Sequence, residues 1–161
     1  MMINRAKRTL LALALATLAV GPAVGRDQRA GDLSIGDLTL TPTRGQVMVN
    51  AGYVAIANRG AQPDRLVSAT SARFDRIEIH THVQENGMMR MRPLPEGLAI
   101  PANGRVVLQR GGLHLMLFGA KSPLQPGEQV DVALSFERAG VVTVRGTVAQ
   151  PNATAASGHQ H

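Results

Sequence analysis

Apolar residues in this chain come in short runs, cut every few positions by Gly, Pro or Asn. Beyond residue 32 the runs are Leu33 to Thr43, Val47 to Ala57, Arg65 to Ala69, Phe74 to Val83 and Met88 to Leu94. Leu98 to Ile100, Arg105 to Gln109, Leu113 to Phe118, Gln129 to Phe136 and Val141 to Ala149 follow. They are rich in Val, Ile, Leu and Thr, and none carries an apolar stripe at helical spacing. Such segments fit strands with one buried face. Their number and even spacing predict an all-β chain, an antiparallel β-sandwich or Greek-key barrel. The polar stretch Arg26 to Asp32 reads as a flexible lead-in, and Gln129 to Ala149 as a hairpin around Arg138-Ala139-Gly140.

The sequence contains no cysteine. Disulfides, thiolate zinc sites and the His2Cys copper centre of electron-transfer proteins are therefore excluded, and the core alone must hold the fold.

The two ends differ from the middle. Arg5, Lys7 and Arg8 precede the apolar run Leu10 to Val20, and Ala23 and Gly25 supply the small residues of a cleavage site. That pattern predicts a secretory signal peptide over residues 1–25; an 11-residue apolar run is shorter than a membrane span. Residues 26–150 are expected to form the domain. The small and polar residues 151–161 are expected to form a flexible tail ending in His159-Gln160-His161. A periplasmic or secreted monomer, with no membrane insertion once the leader is removed, is the expectation.

Charge argues against one class of partner. Three of the 17 basic residues and none of the 11 acids precede residue 26, which leaves 14 against 11, about +3 with neutral histidine. The basic residues are scattered, and one Tyr, three Phe and no Trp offer no stacking platform, so nucleic acid is not an expected partner.

Unusual chemistry collects in two places. Ile77 to Met91 holds His80, His82, Met88, Met89 and Met91, and His114-Leu115-Met116 follows downstream. Asn86-Gly87 between two β runs signals a tight hairpin. A two-residue loop sets Glu85 against Met88, Gln84 against Met89, His82 against Met91 and His80 against Pro93. His80 and His82 then share one face with Met89 and Met91; His114 and Met116 share a face of another strand. Thioether sulfur is soft, uncharged and needs no deprotonation, so a His/Met set suits copper(I) over magnesium, calcium or zinc. Met88 reads as core or turn packing and Met48 as core. A flexible His159-x-His161 could hold copper(II). A competing reading is a metalloenzyme with His80, His82 and His114 on zinc or copper(II) and Glu78 or Glu85 as base. A β-sandwich interaction module without metal is the third.

The stretch EIHTHVQENGMMRMRPL, followed by GLAIPANGRVVLQRGGLHLMLFGAKSPLQPGEQVDVALSFERAG, resembles the PCuAC family of periplasmic copper chaperones, from Gly31 to Val148. That family's pattern is a His, ten residues and a Met, then a longer gap to His-x-Met. Here ten residues separate His80 from Met91, and twenty-two separate Met91 from His114. The resemblance implies copper(I) ligands His80, Met91, His114 and Met116 on a cupredoxin-like β-sandwich. It also implies delivery of copper to the CuA-bearing subunit of cytochrome c oxidase, alongside a Sco-type copper protein. Turn counting sets His82 opposite Met91 whereas the resemblance selects His80, so both stand as candidates at this point.

Overall fold

The computed structural model describes residues 28–150; the leader 1–25 and the tail 151–161, with His159 and His161, lie outside the described residues. Thirteen strands and no helix make up the described chain. They are β1 (Gln28–Ala30), β2 (Leu33–Ile35), β3 (Leu38–Leu40), β4 (Val49–Tyr53), β5 (Ala55–Asn58), β6 (Asp64–Thr70) and β7 (Arg76–Glu85). The rest are β8 (Met88–Pro93), β9 (Leu98–Ile100), β10 (Arg105–Val107), β11 (His114–Phe118), β12 (Gln129–Phe136) and β13 (Gly140–Val148).

A small sheet has the order β1-β2-β5-β10, and a large one the order β8-β7-β11-β4-β3-β13-β12-β6-β9. A bridge between Ala69 of β6 and Ile77 of β7 joins the large sheet back on itself. Seven of its strands thus form a ring, and β8 and β9 extend from it. The fold is the expected all-β, cupredoxin-like sandwich. One ladder departs from the antiparallel rule: β13 runs parallel to β3.

Three local outcomes differ from the sequence reading. Gln28–Ala30 is a strand, not a loose lead-in; it pairs with β2 across the turn at Gly31 (φ 56°). An edge strand needs only its backbone bonds and one buried side chain, here Ala30, so its polar composition hides it. The run Leu33 to Thr43 breaks at Gly36-Asp37, and Val47 to Ala57 breaks at Val54. At each break the chain passes from one sheet to the other, as corners of a sandwich require.

The core lies between the sheets. Leu115 and Leu117 of β11 point inward beside their register partners Ile79 and Ile77 of β7. Gly52 of β4 faces Leu115, and a Cβ built there would stand 3.3 Å from the Leu115 Cβ and from Leu40 Cδ2. The missing side chain lets the two leucines close over β4. Met48 packs against this core, as expected.

Candidate metal centre

Side chains alternate along a strand, so the residues between the inward leucines of β11 point to the opposite face. His114, Met116 and Phe118 form that outward row. On β7, where Ile77 and Ile79 point inward, Arg76, Glu78, His80 and His82 form the matching row. The β7–β11 register sets His114 opposite His80, Met116 opposite Glu78 and Phe118 opposite Arg76. On the far side of β7, β8 contributes Met91 opposite His82 and Met89 opposite Gln84.

The hairpin has the register that the Asn-Gly loop predicts. Asn86 (φ 50°) and Gly87 (φ 76°) are both left-handed, as a two-residue loop of this hand requires. His80 therefore faces Pro93, and a longer loop that would bring it opposite Met91 is ruled out; His80 and Met91 are diagonal neighbours.

These rows border a cavity of about 280 Å³ lined by His82, Met91, His114 and Met116 together with Ala51, Tyr53 and Arg110; His80 is not among its walls. His80 and His114 are buried, at 8% and 6% exposure, whereas Met91 is 49% exposed. The His114 ring centroid stands 5.8 Å from that of His80 and 5.3 Å from that of His82. Met89 (62% exposed) is not among the cavity walls, and Met88 is exposed beside the turn rather than packed in the core. Its position on an edge strand, all six residues of which are exposed, leaves it nothing to pack against.

The imidazoles are not equivalent. His114 Nδ1 lies 2.9 Å from the Gly112 carbonyl oxygen. A carbonyl only accepts, so Nδ1 carries the proton and Nε2 is left with a lone pair in the neutral ring. His80 Nε2 lies 2.8 Å from Glu78 Oε2. The same logic makes Nε2–H the donor and leaves Nδ1 bare, and that Nδ1 is buried without a partner. His82 Nδ1 is also buried and unpartnered, and no hydrogen bond fixes its ring. Buried polar nitrogens without partners are uncommon and call for a ligand or another explanation. The donor set fits a soft monovalent metal: bare imidazole nitrogens and thioether sulfurs, all neutral.

Both acids of the metalloenzyme reading are engaged by neighbouring side chains. The His80 ring, then the Arg76 guanidinium, hold the Glu78 carboxyl below its ordinary range by hydrogen bonding to its charged form. Glu85 is paired with Arg92 at 2.7 Å and is likewise held low by that bond. Among the described residues no three His, Cys, Asp or Glu side chains are grouped to hold a metal. The sequence reading missed the Glu78–His80 contact as a support, although a carboxylate two residues before a histidine on a strand signals it.

Residues 33–148 match the family model described as "Putative lipoprotein LpqE-like". The chain belongs to the LpqE-like family. Among solved structures, the copper(I) form of DR1885 from Deinococcus radiodurans is 32% identical, with a TM-score of 0.60, covering 72% of this chain and 77% of that one. The copper-bound PCuAC domain of PmoF2 is 24% identical with a TM-score of 0.65, covering 77% of this chain and 97% of that domain, a likeness of fold. The PCuAC resemblance of the sequence is thus borne out. A curated relative from Leifsonia xyli subsp. xyli, "Putative lipoprotein Lxx21020", is 34% identical over 88 residues, 55% of this chain and 53% of the relative. The chain spans about half the length of the curated relatives it matches. The relatives' lipoprotein names suggest a secreted or envelope protein.

Proposed function

We propose that this member of the LpqE-like family is a periplasmic copper(I) carrier. One copper(I) is held by His80, Met91, His114 and Met116, and is passed to the CuA centre of cytochrome c oxidase or another cuproprotein, in company with a Sco-type protein. The observation that carries the reading is one sheet face bearing the buried imidazoles of His80 and His114, 5.8 Å apart ring to ring, with Met91 and Met116, of which His114, Met91 and Met116 line the cavity. Copper-loaded relatives of the same fold support it. The two thioethers carry no proton at all, so the methionine half of the set binds and releases copper without proton exchange. Met91, half-exposed on an edge strand, is the donor a recipient reaches first. A neutral set around copper(I) leaves a single positive charge and no activated water, which suits carriage and not hydrolysis. The leader in residues 1–25 supplies export.

An anaerobic copper(I) titration with X-ray absorption tests this. The parent chain should take up one copper with sulfur at thioether distance. Met91→Ala combined with Met116→Ala should lose it, by more than the roughly 10- to 100-fold that follows loss of a mere supporting partner. Full stoichiometry in the double variant refutes the assignment. The His159/His161 tail is proposed as a separate, weaker copper(II) site; deleting residues 151–161 should lower copper(II) stoichiometry, and an unchanged isotherm removes the idea.

A further inference from the structure

We propose that Glu78 is a positioning residue that presents Nδ1 of His80 as the copper donor, with Arg76 holding Glu78 in place, so that His80 and not His82 is the imidazole supplied by β7. The inference rests on the copper-carrier reading and adds to it a donor atom and the residues that orient it.

The supports lie in one row. Arg76, Glu78 and His80 alternate with inward residues on β7, so all three share the outward face. Arg76 Nε donates to Glu78 Oε1 at 2.8 Å, and Glu78 Oε2 accepts from His80 Nε2 at 2.8 Å. The guanidinium is itself seated, its Cζ 4.0 Å over the Phe118 ring. Glu78 thus has both oxygens engaged from opposite sides and little freedom to rotate. Phe118, Met116 and His114 on β11 face these three residues in register. The row that orients the ring therefore lies directly beside the row that supplies two of the ligands.

A metal-bound histidine ordinarily donates its second ring N–H to a carboxylate or carbonyl, which fixes the tautomer and raises the basicity of the donor nitrogen. His80 has that partner in Glu78, and His114 has it in the Gly112 carbonyl. His82 has neither, although it lines the cavity and faces Met91. Wall position and register favour His82; tautomer favours His80. The fixed tautomer decides, because a donor atom must be bare, and a ring without a hydrogen bond spends part of its time with the proton on the wrong nitrogen.

Long-range proton–nitrogen spectra of the copper-free full chain read the ring directly. The expected result is a His80 ring protonated at Nε2 and bare at Nδ1 in the parent. Glu78→Gln leaves one acceptor oxygen for the two donors Arg76 Nε–H and His80 Nε2–H, so it should hold that pattern only in part, whereas Glu78→Leu should show a full mixture. Copper(I) affinity, read by competition with a chromophoric chelator, should fall about 10- to 100-fold in Glu78→Leu and by less in Glu78→Gln. His80→Ala should fall further than His82→Ala. Protonation of His80 at Nδ1 in the parent, a Glu78→Leu variant with parental ring and affinity, or a His82→Ala loss as large as that of His80→Ala overturns the inference. Absence of copper(I) uptake by the parent overturns the carrier reading and this inference with it. Parental uptake that Glu78→Leu leaves intact overturns this inference alone.

Discussion

Replacing Asn86-Gly87 by Ala-Ala separates the turn's role from that of the core. Both positions have positive φ, 50° and 76°, and a Cβ built on Gly87 meets nothing within 4 Å. No clash contributes there, so the cost is conformational, roughly 1–2 kcal/mol per residue and about 2–4 kcal/mol for the pair. At 1.4 kcal/mol per decade, the balance between formed and opened hairpin tip shifts by about 30- to 700-fold. That loss stays local. All six residues of β8 are exposed and the strand has a single neighbour, so opening it uncovers little apolar surface. Copper(I) affinity should fall with the fraction of hairpin that remains formed. Amide exchange should rise across Met88–Pro93, while the exchange of β11 and β12 and the global melting temperature change little. The assay is native-state hydrogen exchange beside the copper(I) competition titration. Exchange in β8 fast enough to show the tip mostly open, with unchanged copper affinity, would show that Met91 is not a ligand. Unchanged exchange would show that the turn does not hold the register.

Three further outcomes follow from the packing and the ion pairs. Leu115→Ala, at a fully buried position between Ile79 and Gly52, should cost about 2–5 kcal/mol in urea denaturation and leave copper stoichiometry intact below the transition; a cost under about 1 kcal/mol contradicts its place in the core. Gly97→Ala should destabilise by more than about 2 kcal/mol and Gly111→Ala by only about 1–2, because both have φ 79° but a Cβ at Gly97 presses on the Leu66 carbonyl oxygen while one at Gly111 meets nothing. Equal losses refute the distinction. The Gln125 amide, then the Arg73 guanidinium, hold the Glu128 carboxyl below the ordinary carboxylate value of 4.5. A depressed folded-state pKa gives stability that is present above that value and lost as pH falls through the folded one. The stability gap between the parent and Glu128→Gln should thus be constant near neutrality and narrow below pH 4.5; a gap that widens in acid reverses the sign and refutes it.

How much of this could be read from the residues depends on the range of the signal. The β7–β8 register is legible to the residue because two adjacent positions, Asn86 and Gly87, set it locally. The parity of His80, His82, His114 and Met116 is equally local, since it needs only the period of a strand. The split of Val47 to Ala57 between two sheets is not legible: Tyr53, Val54 and Ala55 all suit a strand, and what turns the chain is the opposite sheet, through the bond from Leu108 N–H to the Val54 carbonyl. The pairing of β7 with β11 is not legible either. Nothing near His114 names His80 as its partner; that register is fixed by inward contacts of Leu115 with Ile79 and of Leu117 with Ile77. Counting along the hairpin sets His82 opposite Met91 and His80 on the diagonal, and it cannot see the Glu78 carboxylate that holds the His80 ring.

The same strands therefore carry the core on one face and the candidate site on the other, and this decides how the two can vary. Leu115 and Leu117 set the height and register of β11, and His114 and Met116 inherit their position from them. The site needs the core, but the core needs nothing from the site. A donor on the outward face can be replaced with little effect on folding, since a half-exposed methionine such as Met91 contributes only part of the roughly 1.5–3 kcal/mol of a buried one. The converse is not true: a change at Gly52 that forces β11 outward must shift Met116, which pairs with Ala51 on the same strand. Gly52→Ala, whose Cβ would stand 3.3 Å from both Leu115 and Leu40, should thus weaken copper(I) binding without touching a ligand. It should do so in proportion to the displacement of β11. A Gly52→Ala chain that loses stability yet binds copper(I) as tightly as the parent would show that the site adjusts independently of the core, and the argument from shared strands would fail.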